Sequence, residues 1–336
     1  MSDALVIGLD IGGTSTRALV ATLAGDRVGT GTAGGGNPTS HGAEAAAAEL
    51  GKALSEALAA TDPTRVRAGV IGIAGVARLL ADPASRAAFE RTWADAGLRC
   101  PYEMIGDALV AYASGTASPD GSVLISGTGA IAVTIRGFAL DRVSDGHGWL
   151  LGDAGSGFWL GREAVRATLA AMDAGRPLGR LSRAVVTTLL HAETSATSVG
   201  RGDLGALSAR DQVDVLVQRV TRRPAVELAK LAPLVIAAQA DGDPTANALV
   251  AEAARLLTDS VARIRDPGDP SPIVLAGGLL VGQTPLAAAV ERELSARWPD
   301  APRPHASDGA AAAAWLAARP QLTPTEAAAL HTRLFP

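Results

Sequence analysis

Short apolar segments that end in glycine turns recur along this sequence, and they constrain its fold more than any other feature. The first segment, Ala4–Leu9, is followed by a glycine turn at Asp10–Thr14 and by a second β-rich segment, Thr16–Leu23. Two such segments around a short glycine turn predict a β-hairpin. The segment Val123–Arg136, with Gly127-Thr128-Gly129 at its centre, repeats this order. The repeat indicates two related halves, each with its own strand–glycine turn–strand unit.

The rest of the sequence alternates between predicted strands and predicted helices, an order that is typical of an α/β fold. Besides the hairpins, we predict strands at Val28–Thr32, Ala68–Ile73, Tyr102–Ile105 and Ile273–Ala276, and helices at Ala43–Ala60, Pro83–Ala96, Ala108–Ser114, Arg162–Ala174, Pro244–Ile264, Pro285–Arg297, Asp308–Ala318 and Pro324–Leu334. Residues 178–240 are predicted to be mostly helical, with Ser208 as an N-terminal cap. The glycine-bounded segment at residues 115–121 marks the predicted boundary between the halves.

Length and composition exclude several classes of protein. The chain has 336 residues, which corresponds to about two domains. Its formal net charge of −4 gives no strongly basic surface, so nucleic acid is not an expected partner. Cys100 is the sole cysteine, which excludes a disulfide framework and a cysteine-based zinc or iron–sulfur site within one chain. No apolar run approaches about 18 residues and no basic leader is evident, so we expect a cytoplasmic protein without a membrane span.

The sequence supports neither of two familiar nucleotide-binding motifs. A P-loop needs a lysine after its last glycine, and neither Lys52 nor Lys230, the two lysines of the chain, has the required neighbours. The segment that begins at Gly127 matches the loose dinucleotide pattern G-x-G-x-x-A. That pattern needs a helix after its glycines, whereas Ile131–Ile135 is rich in β-branched residues and predicts a strand. Dinucleotide binding is therefore not expected.

The first glycine turn has two interpretations. It could be an ordinary hairpin turn with Asp10 as a local cap. Alternatively, its backbone N–H groups bind an anion, with Thr14 and Ser15 as hydroxyl donors and Asp10 facing a hydrated Mg²⁺. The second glycine hairpin, at Ser126–Ala130, favours the anion, because two such turns can hold a triphosphate from both sides of a cleft.

Asp107 follows a predicted strand and precedes a predicted helix. In this position an aspartate commonly caps the helix. The same position would place its carboxylate at the carboxyl end of a sheet, facing a crevice, where it could accept a proton from a substrate hydroxyl. The two roles are compatible with each other.

A glycine-dense segment at residues 146–157 is typical of a loop that lines a site, although a tight loop with Trp149 in the core is the alternative. Within it, Asp153 is the residue most expected to bind a ligand hydroxyl. Asn37 follows three glycines and precedes a proline, an order typical of a turn. The pair Gly277-Gly278 follows a predicted strand, so it either begins a helix or lets an adenine ring approach bare backbone.

Seven motifs occur in a fixed order between Leu5 and Trp315: LDIGGTSTRAL, GGGNP, GIAG, IGDALVAYASG, LISGTGA, GHGWLLGDAGSGFWLG and VLAGGL. In this order the sequence resembles the actin/hexokinase/heat-shock chaperone ATPase superfamily and, within it, the N-acetylglucosamine kinase branch that is grouped with the BadF/BadG-type ATPases. The resemblance implies an α/β fold with two ribonuclease H-like domains and an interdomain cleft. The first domain would cover residues 1–115, with helices at residues 315–336 returning to it. The larger second domain would cover residues 116–314 and carry helical insertions.

The resemblance also implies a role for each matching residue. The implied ATP phosphate-binding residues are Gly12, Gly13, Thr14, Ser15, Gly127, Thr128 and Gly129, and the adenosine-binding residues are Gly277 and Gly278. Asp10 would lie near Mg²⁺, through water, and Asp107 would be the general base. The implied substrate-binding residues are Asn37, Gly75, Asp107, Thr128, Gly129, Ala130, His147, Gly148 and Asp153. The implied activity is ATP-dependent phosphorylation of the 6-hydroxyl of N-acetylglucosamine, by a homodimer.

Three alternatives to N-acetylglucosamine phosphorylation stay open at this point. The first is a glucosamine kinase of the same family, because the sequence alone does not place the side chains that face the 2-substituent of the sugar. The second is a sensor that binds sugar and ATP without turnover. The third is an ATPase activator of a radical dehydratase, in which a cluster shared between subunits needs two cysteines per chain. The single Cys100 disfavours this third alternative.

Overall fold

A computed structural model of the chain describes residues 4–38, 42–191 and 208–335 and shows two β-sheets with helices around and between them. The strands are β1 (Leu5–Ile11), β2 (Thr16–Thr22), β3 (Arg27–Ala33), β4 (Val66–Ile73), β5 (Tyr102–Gly106), β6 (Gly121–Ser126), β7 (Ala130–Arg136), β8 (Ala139–Asp145) and β9 (Ile273–Ala276). The α-helices are α1 (Ala43–Ala57), α2 (Val76–Ala81), α3 (Pro83–Asp95), α4 (Asp107–Gly115), α5 (Gly157–Asp173), α6 (Arg180–His191), α7 (Ala209–Thr221), α8 (Ala232–Ala240), α9 (Pro244–Ala262), α10 (Pro285–Arg297), α11 (Gly309–Ala318) and α12 (Pro324–Leu334). Short 3₁₀ turns lie at Pro63–Arg65, Ala225–Leu231 and Arg319–Gln321.

The first sheet has the strand order β3-β2-β1-β4-β5. Strands β1 and β2 form the predicted antiparallel hairpin, while β4 and β5 run parallel to β1. The apolar residues of β1 are buried, which is the pattern of a strand that is covered on both faces. Because β1, β4 and β5 are parallel, the residues at their carboxyl ends, among them Asp10 and Asp107, lie along one edge of the sheet.

The second sheet has the strand order β8-β7-β6-β9 and repeats the centre of the first. Strands β6 and β7 form the second antiparallel hairpin, and β9 lies parallel to β6 just as β4 lies parallel to β1. Each half therefore contains a hairpin whose first strand also pairs with a parallel neighbour. The predicted α/β fold with two related halves is confirmed.

Helices α4 and α11 lie between the two sheets. Helix α11 packs on β1 and β4 and also against α4, and α4 in turn contacts β6 and β9. One hydrophobic cluster joins Val70 of the first sheet, the alanines of α11, and Val123 and Val274 of the second sheet. Helix α11 begins at Gly309. It therefore crosses the boundary predicted between residues 314 and 315, where the second domain was expected to end and the returning C-terminal helices to begin.

Three local features differ from the sequence predictions. Strand β8 was not predicted, because its residues 139–143 are exposed at the sheet edge and show no apolar pattern. The short helix α2 was also missed. Helix α5 begins at Gly157, five residues before the predicted start, because Ser156 caps it by accepting a hydrogen bond from the backbone N–H of Trp159. Ser208 does cap α7, as predicted, by accepting a hydrogen bond from the N–H of Asp211.

The second half is enlarged by helices α5 to α10, which enclose the largest apolar cluster of the described residues. Helix α9 contributes a buried face with Ala253, Leu257 and Val261, and Asp243 caps its start. Among the residues that the structure describes, we found no helix long and apolar enough to span a membrane.

Candidate active site

The first glycine turn connects β1 to β2 and projects into solvent. A hydrogen bond of 2.9 Å from the N–H of Gly12 to the carbonyl of Ser15 closes the turn. The carbonyl of Gly12 also accepts a hydrogen bond of 3.2 Å from the N–H of Gly36, and this contact brings the loop that carries Asn37 beside the turn. Gly13 and Thr14 are exposed. The turn therefore presents backbone and hydroxyl groups to an incoming anion.

The second glycine turn is held by the start of helix α5. The N–H groups of Gly157 and Phe158 donate to the carbonyls of Gly127 and Thr128, at 2.8 and 3.1 Å. Within the turn, the N–H of Gly127 donates to the carbonyl of Gly129 at 2.9 Å. Thr128 remains exposed at the tip. The carbonyls of Gly127 and Thr128 thus point to the helix, and the tip of the turn faces outward.

The predicted adenosine loop lies against the end of β6. Gly277 has a φ of +85°, a conformation that favours glycine, and a Cβ there would lie 2.3 Å from the carbonyl oxygen of Ser126. The N–H of Leu279 donates to the same carbonyl at 3.1 Å. The loop thereby sits beside the second glycine turn.

A cavity of about 270 Å³ lies between these two loops. It is lined by Gly127, Thr128, Gly157, Ala229, Lys230, Ala232, Pro233, Gly278 and Leu279. The structure therefore brings together residues that the sequence assigned separately to phosphate and adenosine binding. The wall at residues 229–233 was missed, because a mostly helical segment some hundred residues from the turn carries no local signal of a site.

Two carboxylates face the crevice at the carboxyl edge of the first sheet. Asp10 is the penultimate residue of β1, and Asp107 begins α4 directly after β5. Burial and the negative charge of Asp107 raise the pKa of Asp10 from 3.8 to about 6, and the charge of Asp308 adds to this while Arg17 opposes it. The Asp107 side chain is exposed to solvent, although much of the protein lies close around it. Burial raises the pKa of Asp107, against the opposing effect of hydrogen bonds from backbone N–H groups, that of Ala108 foremost.

The start of helix α11 supports the carboxylate of Asp10. A Cβ at Gly309 would lie only 2.4 Å from Oδ2 of Asp10, so the carboxylate packs directly on this glycine. Asp308 caps the helix by accepting a hydrogen bond of 3.1 Å from the N–H of Ala311, and it forms an ion pair of 2.7 Å with Arg27. The sequence analysis missed these residues as parts of the site. An aspartate before a run of alanines signals only a helix start.

The glycine-dense segment that carries His147, Gly148 and Asp153 is tied to the second hairpin. Asp153 is buried, and its Oδ1 accepts a hydrogen bond of 3.0 Å from the N–H of Ala130. Burial raises the pKa of Asp153; the hydrogen bond from Ala130 opposes this rise, and the neighbouring Asp145 adds to it. A ligand hydroxyl would therefore meet the second oxygen of this carboxylate, since the first is engaged. His147 and Gly148 are exposed in the same segment.

Asp145, which the sequence analysis missed, anchors this segment. It is buried, and its two carboxylate oxygens accept hydrogen bonds of 2.7 and 2.8 Å from the N–H groups of Asp153 and Ala154. Both aspartates have a positive φ, +66° for Asp145 and +57° for Asp153, which is uncommon outside glycine. Trp149 is not a core residue: it is 44% exposed, and its ring lies 5.8 Å from that of Phe158.

The remaining predicted substrate residues, Asn37 and Gly75, belong to the first half. Gly75 follows β4, has a φ of +73° and begins helix α2. It lies along the sheet edge that carries Asp10 and Asp107. The predicted substrate residues are thus divided between the two halves of the molecule.

The environment of Asp10 suits a residue that faces a hydrated Mg²⁺. It is a half-buried carboxylate with a raised pKa, and a cation beside it would offset both its burial and the charge of Asp107. Within the described part of the chain, no group of three or more histidine, cysteine, aspartate or glutamate side chains is placed to hold a metal ion. An ion here would therefore need ligands from outside the protein, such as phosphate oxygens and water.

Comparisons with known proteins agree with this architecture. A protein-family model described as the BadF/BadG/BcrA/BcrD ATPase family matches residues 7–317. The N-acetyl-D-glucosamine kinase of Dictyostelium discoideum is 27% identical over 318 residues, which cover 90% of this chain and 93% of that protein. A solved structure from Chromobacterium violaceum, assigned as an N-acetylglucosamine kinase, has a TM-score of 0.68 at 25% identity. The match covers 94% of this chain and 99% of the Chromobacterium chain.

A ROK hexokinase from Thermus thermophilus shares the fold more distantly. Its TM-score is 0.52 at 21% identity, and the match covers 95% of this chain and all of that one. The hexokinase-type fold expected from the sequence is therefore confirmed by solved structures as well as by the strand order.

Proposed function

Because the chain belongs to the BadF/BadG/BcrA/BcrD ATPase family, we propose that it is an ATP-dependent kinase that phosphorylates the 6-hydroxyl of N-acetylglucosamine. The products would be N-acetylglucosamine 6-phosphate and ADP. The observation that carries the proposal is the position of Asp107, a solvent-facing carboxylate with a raised pKa at the carboxyl edge of the first sheet. Similarity to N-acetylglucosamine kinases over nine-tenths of the chain supports the sugar.

Asp107 would act as the general base. Its carboxylate accepts the proton of the 6-hydroxyl while the 6-oxygen bonds to the γ-phosphorus of ATP, and the bond from that phosphorus to the β–γ bridging oxygen breaks to leave ADP. A raised pKa strengthens a carboxylate as a base, provided that it stays ionised at the working pH. General-base catalysis of this kind typically contributes about 10²–10⁴-fold to the rate.

The glycine turns would position the triphosphate. Phosphoryl transfer proceeds through a loose transition state, so the protein acts mainly by alignment and by stabilising charge. Exposed backbone at Gly13 and Thr14 and the tip residue Thr128 would supply hydrogen-bond donors to the phosphates. Mg²⁺, when bound on the side of Asp10, would neutralise negative charge on the phosphates. Closure of the two halves around both substrates would exclude water and suppress hydrolysis of ATP.

The sugar specificity and the kinase reaction can be tested together. A coupled assay of ADP release would compare kcat/KM for N-acetylglucosamine, glucosamine, N-acetylmannosamine, N-acetylmuramic acid and glucose. We expect the highest value for N-acetylglucosamine and a 6-phosphate product by ³¹P NMR. A higher value for glucosamine would identify the enzyme as a glucosamine kinase. If no sugar stimulates ADP release, the chain is a sensor or an ATPase of another kind and the kinase proposal fails.

A further inference from the structure

The nucleotide cavity between the second glycine turn and the adenosine loop has one charged residue in its lining. Its walls are otherwise small or apolar, formed by glycines and by Ala229, Ala232, Pro233 and Leu279, with the hydroxyl of Thr128 at one end. The charged residue is Lys230. Lys230 is the last but one residue of the 3₁₀ turn Ala225–Leu231, which packs against helix α5.

We propose that Lys230 binds the ribose of the nucleotide, or the phosphate next to it, and so contributes to ATP affinity. This inference rests on the proposed function, because it takes ATP as the ligand of the cavity. The phosphates would lie at Thr128 and the adenine against Gly278. The ribose joins these two groups and would therefore lie in the cavity that Lys230 lines.

The chemistry of the side chain matches that position. An ammonium group has three hydrogen-bond donors and no acceptor, so its natural partners are hydroxyl and phosphate oxygens. Glu227 lies three residues earlier and pairs with the ammonium of Lys230 at 3.3 Å. The side chain of Lys230 is 74% exposed, so the amine is accessible to a ligand.

The chain offers a matched control for Lys230. Lys52, the other lysine of the sequence, is 66% exposed and also pairs with a glutamate three residues earlier, Glu49. It lies on α1, which packs on β2 and β3, and it does not line the nucleotide cavity. The two lysines therefore have similar exposure and similar ion pairs, and they differ in whether they face the cavity.

Affinity labelling tests the proposal without requiring turnover. ATP whose ribose has been oxidised to the 2′,3′-dialdehyde forms an imine with a nearby lysine, with loss of water, and borohydride then reduces the imine to a stable amine. We expect peptide mass spectrometry to find Lys230 labelled, with protection by excess ATP, and Lys52 labelled slowly without protection. Equal labelling of both lysines, or labelling of Lys230 that ATP does not prevent, would overturn the proposal.

Steady-state kinetics give a second measurement. We expect Lys230→Met to raise KM for ATP about fivefold while KM for the sugar stays within twofold, and Lys230→Arg to recover most of the ATP affinity. Lys52→Met should match the wild-type chain. An unchanged KM for ATP in Lys230→Met would overturn the assignment. If the wild-type chain shows ATP-protected labelling but no sugar-stimulated ADP release, the kinase proposal fails and the assignment of Lys230 stands.

Discussion

The two glycine hairpins share a sequence pattern but differ in what supports them. The first turn, at Gly12–Ser15, is exposed and receives one hydrogen bond from outside the hairpin, from Gly36. The second, at Gly127–Gly129, is held by the first N–H groups of α5, and its last glycine packs against Asp153. The first hairpin carries a carboxylate, Asp10, whereas the corresponding position of the second is Ile125. The carboxylates proposed to face Mg²⁺ and to act as the base thus belong to the first half, and the more firmly held turn and loop belong to the second.

The largest effect on turnover is expected when Asp107, the proposed base in the first half, is replaced. Asp107→Asn should lower kcat by at least about 10²–10⁴-fold and keep ATP binding, because the amide cannot accept the hydroxyl proton. Steady-state kinetics and equilibrium binding of ATP measure the two effects. Asp173→Asn, an exposed substitution at the end of α5, is the control for altered charge. Near-normal turnover in Asp107→Asn would remove this residue as the base.

The next effect concerns the support of the sugar loop in the second half. Asp145→Ala should raise KM for the sugar about tenfold or more, and by a larger factor than KM for ATP, because it leaves the N–H groups of Asp153 and Ala154 without their acceptor. Asp145→Asn keeps one acceptor oxygen and should have an intermediate effect. Equal increases of the two KM values would mean that Asp145 supports the whole half rather than this loop.

The difference in support between the turns should also appear in stability. Gly129→Ala should lower the free energy of unfolding by about 1–3 kcal/mol, because its Cβ would lie 2.7 Å from Oδ1 of the buried Asp153. Gly13→Ala should change it by less than about 0.5 kcal/mol, because no atom lies within 4 Å of the added Cβ. Urea denaturation compares the two variants. Similar losses in both would contradict the view that the second turn is the more tightly packed.

The smallest effect is the pH dependence that Asp10 gives to stability. Its pKa is about 6 when folded and near 3.8 when unfolded, so ionisation of Asp10 makes the folded state less stable as the pH rises from about 4 to 6. The upper limit of this loss in the free energy of unfolding is about 3 kcal/mol. We expect a loss of about 1–2 kcal/mol, because solvent screens a partly exposed carboxylate.

Asp10→Asn measures this contribution, because the amide does not titrate. Urea denaturation at pH 4, 5 and 6 should show the wild-type chain losing stability relative to this variant. Asp62→Asn should give the opposite sign in a lower window, below about pH 4, because hydrogen bonds from Thr64 lower the pKa of Asp62 and this stabilisation is lost as the pH falls. A constant difference between wild type and Asp10→Asn across this range would show that the pKa of Asp10 is unshifted.

Much of the fold followed from local patterns in the sequence. We could predict both hairpins, β9 and the C-terminal helices, because glycine or proline marks where their apolar segments begin and end. Strand β8 was missed because an exposed edge strand has no apolar face to reveal it. The residues of the motifs could be named in advance, since they follow strand ends. Their roles in catalysis and binding, like the expected homodimer, stay predictions.

What the sequence could not show is how distant segments complete the site. Asp145, Asp308 and Lys230 act through partners that lie elsewhere in the chain or on the other side of a cavity. Each is one aspartate or lysine in an ordinary helical or strand context, and only the fold reveals its neighbours. Gly309 is a similar case, because its importance depends on the carboxylate of Asp10, some 300 residues earlier in the sequence.

Helix α11 lies between the two sheets and is built mostly of alanines. Alanine side chains have no rotamers, so burying this helix costs almost no side-chain entropy. Its small side chains also let its backbone approach the first sheet closely: a Cβ at Gly8 of β1 would lie 2.0 Å from the backbone nitrogen of Ala314. A single large side chain in the alanine run, for instance Ala313→Leu, would therefore overpack the layer between the two sheets and push them apart.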